Sequence, residues 1–242
     1  MFYFNKNFGL FVGRLTDNKF HKHYAIQISL SLSAALELSV KNEQKSIVGN
    51  AFFISSNTEH KLWCDDIQLT ILINPLCSTG QHLSQMFGCP CFQTVHNPLQ
   101  AKLNKSLKSL IGKESSFENF CLNITETLNQ NKNEYHVKIN LKDDRIMKAL
   151  AIMEGNFEKV YSLEEISSLC YLSPSRFLHL FKETTEINFR RYQLWNRLIK
   201  SMPFLKNNSI TETAHICGFS DSSHYTRTFK ETFGVNPKFL QQ

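Results

Sequence analysis

Between Phe8 and about Ile73 apolar residues alternate with polar ones at a period of two, with turn signals between the runs. Tyr24–Leu32 alternates, Ala35–Val40 continues the pattern, and Lys41–Ser46 is a polar break. Ile47-Val48 and Ala51–Ile54 follow, then the turn-like Ser55-Ser56-Asn57-Thr58 and the strand-like Gln68–Ile73. Short strands at this spacing, with no helical period among them, predict an antiparallel sandwich or barrel. Pro75 ends that region, and Gln81–Phe87 reads as a short helix. Leu99, Leu103, Leu107 and Leu110-Ile111, then Phe117, Phe120, Cys121, Ile124 and Leu128, recur at three and four residues. That is the pattern of two amphipathic helices broken at Gly112. Their apolar faces pack either on the barrel or on a second copy of the chain, and the pattern leaves both open. Residues 129–140 are polar, asparagine-rich and without period, as in a linker. A further helix opens at Asp143-Asp144, where negative charge is favoured, with Ile146, Met147, Leu150 and Met153 as its apolar stripe. The expected class is α+β, divided into residues 1–78 (β-barrel), 79–130 (helical), 131–140 (linker) and 141–242 (all-helical).

The last segment contains one pattern twice. Ser162–Thr184, SLEEISSLCYLSPSRFLHLFKET, overlies Ser209–Thr232, SITETAHICGFSDSSHYTRTFKET, with one extra residue near Ser222-Ser223. A short, regular repeat asks for one structural unit used twice. Each copy opens with the S-x-x-E spacing of a capping box, Ser162 with Glu165 and Ser209 with Glu212. A short helix follows, with Ile166 and Leu169, or Thr213 and Ile216, expected inward. Ser167 and Ala214 are small where a second helix would cross. The break comes at Cys170-Tyr171-Leu172 and Cys217-Gly218-Phe219. Gly218 suits a tight turn that needs a positive φ, whereas Tyr171 at the same point implies strain or a different turn. The second helix is capped by Ser173 with Pro174 at its first position, and in the other copy by Ser220. Phe177, Leu180 and Phe181 match Tyr225, Thr228 and Phe229 as its inward residues.

Helix, tight turn and helix with a small residue at the crossing is the helix-turn-helix, whose second helix enters the major groove of DNA. The outward face of the first reading helix offers Ser175, Arg176, Leu178, His179 and Lys182. The second offers Ser222, Ser223, His224, Thr226, Arg227 and Lys230. Arg227 is the residue suited to a bidentate contact with guanine, the hydroxyls suit bases or phosphates, and Lys182 and Lys230 suit phosphates. Between the copies Phe189, Tyr192, Trp195, Leu198, Ile199 and Met202 form a helical stripe wide enough to touch both units. Such a helix would hold the two reading helices about 34 Å apart, one turn of B-DNA. Arg190, Arg191 and Arg197 are placed along the DNA backbone between them.

Charge changes this picture little. The net charge of +6 is spread evenly, with 14 Lys+Arg against 11 Asp+Glu in residues 141–242. Such a balance is compatible with nucleic acid without arguing for it. Seven unevenly spread cysteines make no disulfide framework, and Cys89 and Cys91 without a second pair make a poor zinc site, so reduced, buried thiols are expected. No apolar run is long enough to span a bilayer and the N-terminus lacks a leader pattern, which predicts a cytosolic, unprocessed protein.

Gly218-Phe219-Ser220-Asp221-Ser222-Ser223-His224-Tyr225, Arg227-Thr228-Phe229-Lys230, Phe233-Gly234-Val235 and Pro237 resemble the AraC/XylS family of bacterial transcription regulators. Leu172-Ser173-Pro174-Ser175-Arg176-Phe177 and Phe189-Arg190-Arg191-Tyr192 agree, so the resemblance covers about residues 141–242. It implies a monomeric two-headed reader of double-stranded DNA. Ser175, Leu178 and His179, then Ser222, Ser223, His224 and Arg227, would approach bases. Ser167 departs from the usual alanine. More weakly, His21-Lys22-His23 and Gly49–His60 resemble the two motifs of a cupin-type sensor barrel. The first motif's glutamate is missing, with Gln27 nearby, and Ser55-Ser56 stands where proline is usual. His21, His23 and His60 are therefore expected to stabilise loops or line a small-molecule pocket rather than bind a metal, and no cofactor is expected.

The function these readings imply is a sequence-specific transcription regulator, expected to be an activator and not an enzyme. Its N-terminal half would sense a small effector or dimerise. Its expected partners are DNA, RNA polymerase, an unidentified small-molecule or protein effector and a second copy of the chain. The expected location is the bacterial nucleoid. The rival readings are a metal-dependent cupin enzyme with an appended DNA-binding domain, and a regulator controlled by a protein partner.

Overall fold

The structure, a computed structural model, describes residues 1–5, 7–14, 19–41, 43–88, 90–95, 98–130, 143–156 and 159–241. The expected linker, residues 131–140, and Cys89 lie outside the described residues. The chain divides into two compact units. The strands and first three helices are taken first, then the helices after residue 143.

The predicted short strands form as β1 (Phe2–Phe4), β2 (Phe8–Gly13), β3 (Ile26–Ser31), β4 (Leu36–Val40), β5 (Ile47–Gly49), β6 (Ala51–Ile54), β7 (His60–Trp63) and β8 (Gln68–Ile73). A ninth, β9 (Phe92–Thr94), lies inside the segment expected to be helical. Three residues carry no readable period, and β9 exists because it pairs with β6, Phe53 opposite Gln93. A six-stranded sheet has the order β1-β2-β8-β3-β6-β9 and a three-stranded sheet the order β5-β4-β7. All the strand pairings described are antiparallel.

Alternation along β3 and β8 does not mark a solvent face, because every residue of both strands is buried. One face of the large sheet, including Leu10, Ile28, Phe53 and Ile71, shares a core with Leu103, Leu107, Phe120 and Ile124. Those four belong to α2 (Pro98–Ile111) and α3 (Phe117–Asn129), which follow α1 (Ser78–Phe87). Of the two partners open to the amphipathic helices, the sheet of the same chain is the one they cover. On the other face Phe52 and Ile54 cluster with Leu36, Leu38, Val40, Leu62 and Cys64 of the small sheet. The interior between the sheets is thus apolar at one end. Gln27, Ser29 and Thr70 occupy alternate positions of the large sheet and are buried as polar groups.

The helical unit comprises α4 (Asp144–Gly155), α5 (Leu163–Leu169), α6 (Pro174–Thr185), α7 (Phe189–Ser201), α8 (Ile210–Ile216) and α9 (Ser222–Phe233). Both predicted capping boxes form. The Ser162 amide donates to Glu165 Oε2 at 2.8 Å and the Glu165 amide to Ser162 Oγ at 3.0 Å. The Ser209 and Glu212 pair repeats this at 2.8 and 3.2 Å. Phe177, Leu180, Phe181, Tyr225, Thr228 and Phe229 are buried as expected, and so are Ser167 and Ala214 at the crossings. Leu169, expected inward, is exposed, and Cys170 takes the buried position beside it. Ile216 is half-buried, with Cys217 buried next to it. In helices of two turns the stripe is too short for sequence spacing to fix its edge. Ser220 is not the cap of α9. Asp221 Oδ1 accepts from the His224 amide at 2.7 Å, so Asp221 caps the helix and Ser220 Oγ donates to the Asp221 carboxylate. Among the described residues no helix is long and apolar enough to cross a membrane. The described cysteines are free thiols, four buried, Cys77 half-buried and Cys91 exposed.

Candidate functional site

Each reading helix is presented by the turn before it. Gly218 has φ 71° and Tyr171 φ 56°, so both turns use the left-handed region and the first does so with a bulky side chain. A non-glycine residue there costs roughly 1–2 kcal/mol. The Lys148 ammonium lies 4.8 Å from the centre of the exposed Tyr171 ring, a cation–π contact that offsets part of this. The turns are therefore alike in backbone shape although their sequences differ.

On α6 the residues Ser175, Arg176, Leu178, His179 and Lys182 are all exposed. His179 Nδ1 lies 3.7 Å from Glu183 Oε2 on the next turn. On α9 Ser223, His224, Arg227 and Lys230 are exposed, whereas Ser222 and Thr226 are half-buried at the edge of the face. His224 Nδ1 is 3.1 Å from Ser220 Oγ and its ring meets Phe219 edge-on, which orients the imidazole beside the helix start. The candidate residues thus share one face per helix, as their spacing requires.

The connecting helix α7 behaves as a brace. Phe189 packs edge-on against Phe177 and Phe181, and Tyr192 packs edge-on against Phe181, which joins α7 to α6. Ser201 Oγ and Tyr225 Oη are 2.9 Å apart in the core, which joins it to α9. Burial pushes the Tyr225 phenol well above its ordinary value. Arg197, expected along the DNA backbone, instead donates to the Cys217 and Gly218 carbonyls and lies 4.1 Å over the Phe219 ring. Burial lowers its pKa. It bonds the last carbonyls of α8 and the second turn, a structural task that its position about two helical turns from Arg190 does not announce. Arg190 and Arg191 remain exposed. Lys200 Nζ donates to the Met153 carbonyl at 2.7 Å, tying α7 to the end of α4, and burial lowers its pKa to about 8.

In the N-terminal unit the structure brings together three histidines that are far apart in sequence. His21 and His60 exchange two backbone hydrogen bonds, at 3.0 and 2.9 Å, and His23 lies beside them. All three are buried, and a ring nitrogen of each lies within 4.8 Å of those of the other two. Gln27 on β3 reaches into the cluster. Its Oε1 is 2.9 Å from His23 Nε2 and 3.3 Å from His60 Nε2, and its Nε2 donates to Ser29 Oγ at 2.9 Å. Ser29 Oγ continues to Thr70 Oγ1 at 2.9 Å. Desolvation, with His21 adding to it, lowers the pKa of His23 to about 4 and that of His60 well below its ordinary value. The Gln27, Ser29 and Thr70 chain is absent from the residues expected at the site. Its signal was the polar half of the alternation along β3 and β8.

Residues 167–242 match a family described as a helix-turn-helix domain. The HTH-type transcriptional regulator GbdR of Pseudomonas aeruginosa is 31% identical over 100 residues, 40% of this chain and 27% of GbdR. The match therefore spans only about a quarter of that relative. The probable transcriptional regulator LumQ of Photobacterium leiognathi is 23% identical over 231 residues, 92% of this chain and 91% of LumQ. Among solved structures, an apo ToxT variant from Vibrio cholerae superposes with a TM-score of 0.65 at 16% identity, covering 98% of this chain and 97% of ToxT. That likeness shows a shared fold along both units.

Proposed function

The C-terminal region carries an AraC-type helix-turn-helix domain, and from that premise we propose that the chain is a sequence-specific DNA-binding transcription regulator whose N-terminal unit senses a small effector. The observation that carries the reading is the doubled unit itself. Two capped, tightly turned helix pairs each leave one polar, basic face uncovered, with Arg176 and Lys182 on α6 and Arg227 and Lys230 on α9. Their second helices would read successive major-groove segments, and their lysines would anchor phosphates. Because the two faces differ in chemistry, with Leu178 exposed on one and Arg227 on the other, the half-sites should differ in sequence. The N-terminal reading is supported by the buried polar cluster of His21, His23, His60 and Gln27, continued by Ser29 and Thr70, inside the sandwich. Buried polar groups of this number are costly unless they are paired or recognise a ligand.

The test is selection of bound fragments from random DNA by the full-length chain, followed by affinity measurement across a salt series. Two unlike half-sites about one helical turn apart should emerge, and affinity should fall steeply as salt rises. Arg227→Ala should weaken the selected site about 10- to 100-fold and relax its sequence preference, as expected of a lost bidentate contact of about 1–3 kcal/mol. Equal affinity for selected and random DNA would overturn the reading.

A further inference from the structure

The imidazoles of His21, His23 and His60 converge, and we propose that they bind one divalent transition-metal ion, with the Gln27 amide oxygen as a fourth ligand. The ring centroids are 4.5 Å apart for His21 and His60, 5.5 Å for His21 and His23, and 5.3 Å for His23 and His60. Three imidazoles on one ion, with metal–nitrogen bonds of about 2.1 Å, hold their centroids about 4.5–5.2 Å apart for ligand angles between right and tetrahedral. The observed triangle is therefore already close to that of a bound set. The backbone of two members is fixed by the paired hydrogen bonds between His21 and His60. The ring nitrogens lie within 4.8 Å of one another and must draw in toward the about 3.0–3.4 Å spacing of a bound set.

The outer contacts decide which ring nitrogen faces inward. His23 Nδ1 lies 2.9 Å from the Ala25 carbonyl, His60 Nδ1 2.9 Å from the Thr58 carbonyl, and His21 Nδ1 3.3 Å from the Lys19 carbonyl. A carbonyl only accepts, so each Nδ1 carries the proton and each neutral ring keeps its lone pair on Nε2. Backbone carbonyls on the outer nitrogen are the usual means of orienting metal-binding histidines. Two of those inner nitrogens, of His23 and His60, then face the same oxygen of Gln27 at 2.9 and 3.3 Å. Lone pairs facing lone pairs repel, unless a cation sits among them or the Gln27 amide is reversed. The separations equal the edges between neighbouring ligands about 2.1 Å from a shared ion, about 3.0–3.4 Å. With the amide oxygen inward, Gln27 Nε2 donates to Ser29 Oγ, which is itself bonded to Thr70 Oγ1.

Three imidazoles and an amide oxygen form an uncharged, nitrogen-rich set. That favours zinc, nickel, cobalt or copper over calcium or magnesium, which call for several carboxylate oxygens. Metal binding stands on this geometry alone. Its role as the sensed effector rests on the reading of the N-terminal unit as a sensor.

The experiment is titration of the chelator-treated full-length chain with cobalt(II), read by visible absorption, and with zinc(II), read by calorimetry and thermal shift. One ion per chain is expected. His21→Gln and His23→Gln should each weaken binding at least 100-fold. Gln27→Glu, which supplies an anionic oxygen, should tighten zinc binding at least 10-fold if Gln27 is a ligand. Failure of the unsubstituted chain to take up one equivalent would overturn the proposal, with no dependence on how the variants fold. So would uptake that survives the His21→Gln, His60→Gln double variant with its circular dichroism unchanged, because the ion would then sit on cysteine thiols. Unchanged or weakened zinc binding in Gln27→Glu would remove Gln27 from the ligand set in favour of a reversed amide. DNA selection on the same metal-free preparation separates the two readings. A chain that selects sites yet binds no ion loses the metal site and remains a regulator.

Discussion

Arg197 and Arg227 have the same side chain and opposite tasks, and burial separates them. Arg197 is half-buried over Phe219 and bonds two backbone carbonyls, whereas Arg227 stands exposed on α9. Hydrogen bonds from a charged group contribute about 1.5–3 kcal/mol, so Arg197→Ala should lower stability in urea by about 2 kcal/mol. Arg227→Ala should change it by less than about 0.5 kcal/mol. Equal effects on stability would contradict the division. A second residue-scale contrast lies in the left-handed positions. The second copy uses Gly218 and Gly234, with φ 71° and 73°, whereas the first uses Tyr171 and Glu186, with φ 56° and 61°. Glu186 ends α6 on an exposed site, so Glu186→Gly should relieve strain. A gain of about 1 kcal/mol is expected, visible as a higher melting temperature.

At the scale of elements, the helix starts are held by carboxylates. The Ser162 amide, followed by Lys159, holds Glu165 below the usual carboxylate range, the Ser209 hydroxyl and amide do so for Glu212, and the His224 amide does so for Asp221. A carboxyl group whose folded pKa lies below its unfolded value stabilises the fold above the unfolded value. That contribution is lost as pH falls through the folded value. The ordinary values are 4.5 for glutamate and 3.8 for aspartate. Denaturant midpoints of the helical unit should therefore hold between neutral pH and about pH 5 and fall below about pH 4.5. In a Glu165→Gln, Glu212→Gln double variant the fall should be shallower. Ser209→Ala should cost about 1 kcal/mol at neutral pH, the usual worth of such a cap. A midpoint unaffected by Ser209→Ala would mean that packing alone holds α8.

At the scale of the molecule, two units each close their own core, and α3 is the clearest case of an element defined by what it covers. Phe120 is fully buried in the core shared by the large sheet and α2. Phe120→Ala should destabilise the N-terminal unit by about 3–5 kcal/mol, read by the unfolding of that unit, because it leaves a cavity that a sheet cannot collapse around.

What could be read from the sequence followed from local rules. Capping boxes, the proline at the start of α6, the glycine of the second turn and the inward aromatics of α6 and α9 are set within a few residues of each other, and these places match the structure. The doubled unit was therefore legible as a helix-turn-helix pair, and its exposed faces could be written out by spacing alone. Contacts between residues distant in sequence could not. Only tertiary packing made β9 a strand and turned Arg197 onto the Cys217 carbonyl. It also filled both faces of β3 and set His60 of β7 beside Gln27, 33 residues away in sequence. The reason is that periodicity reports how a residue sits on its own element, whereas a site is made where two elements meet.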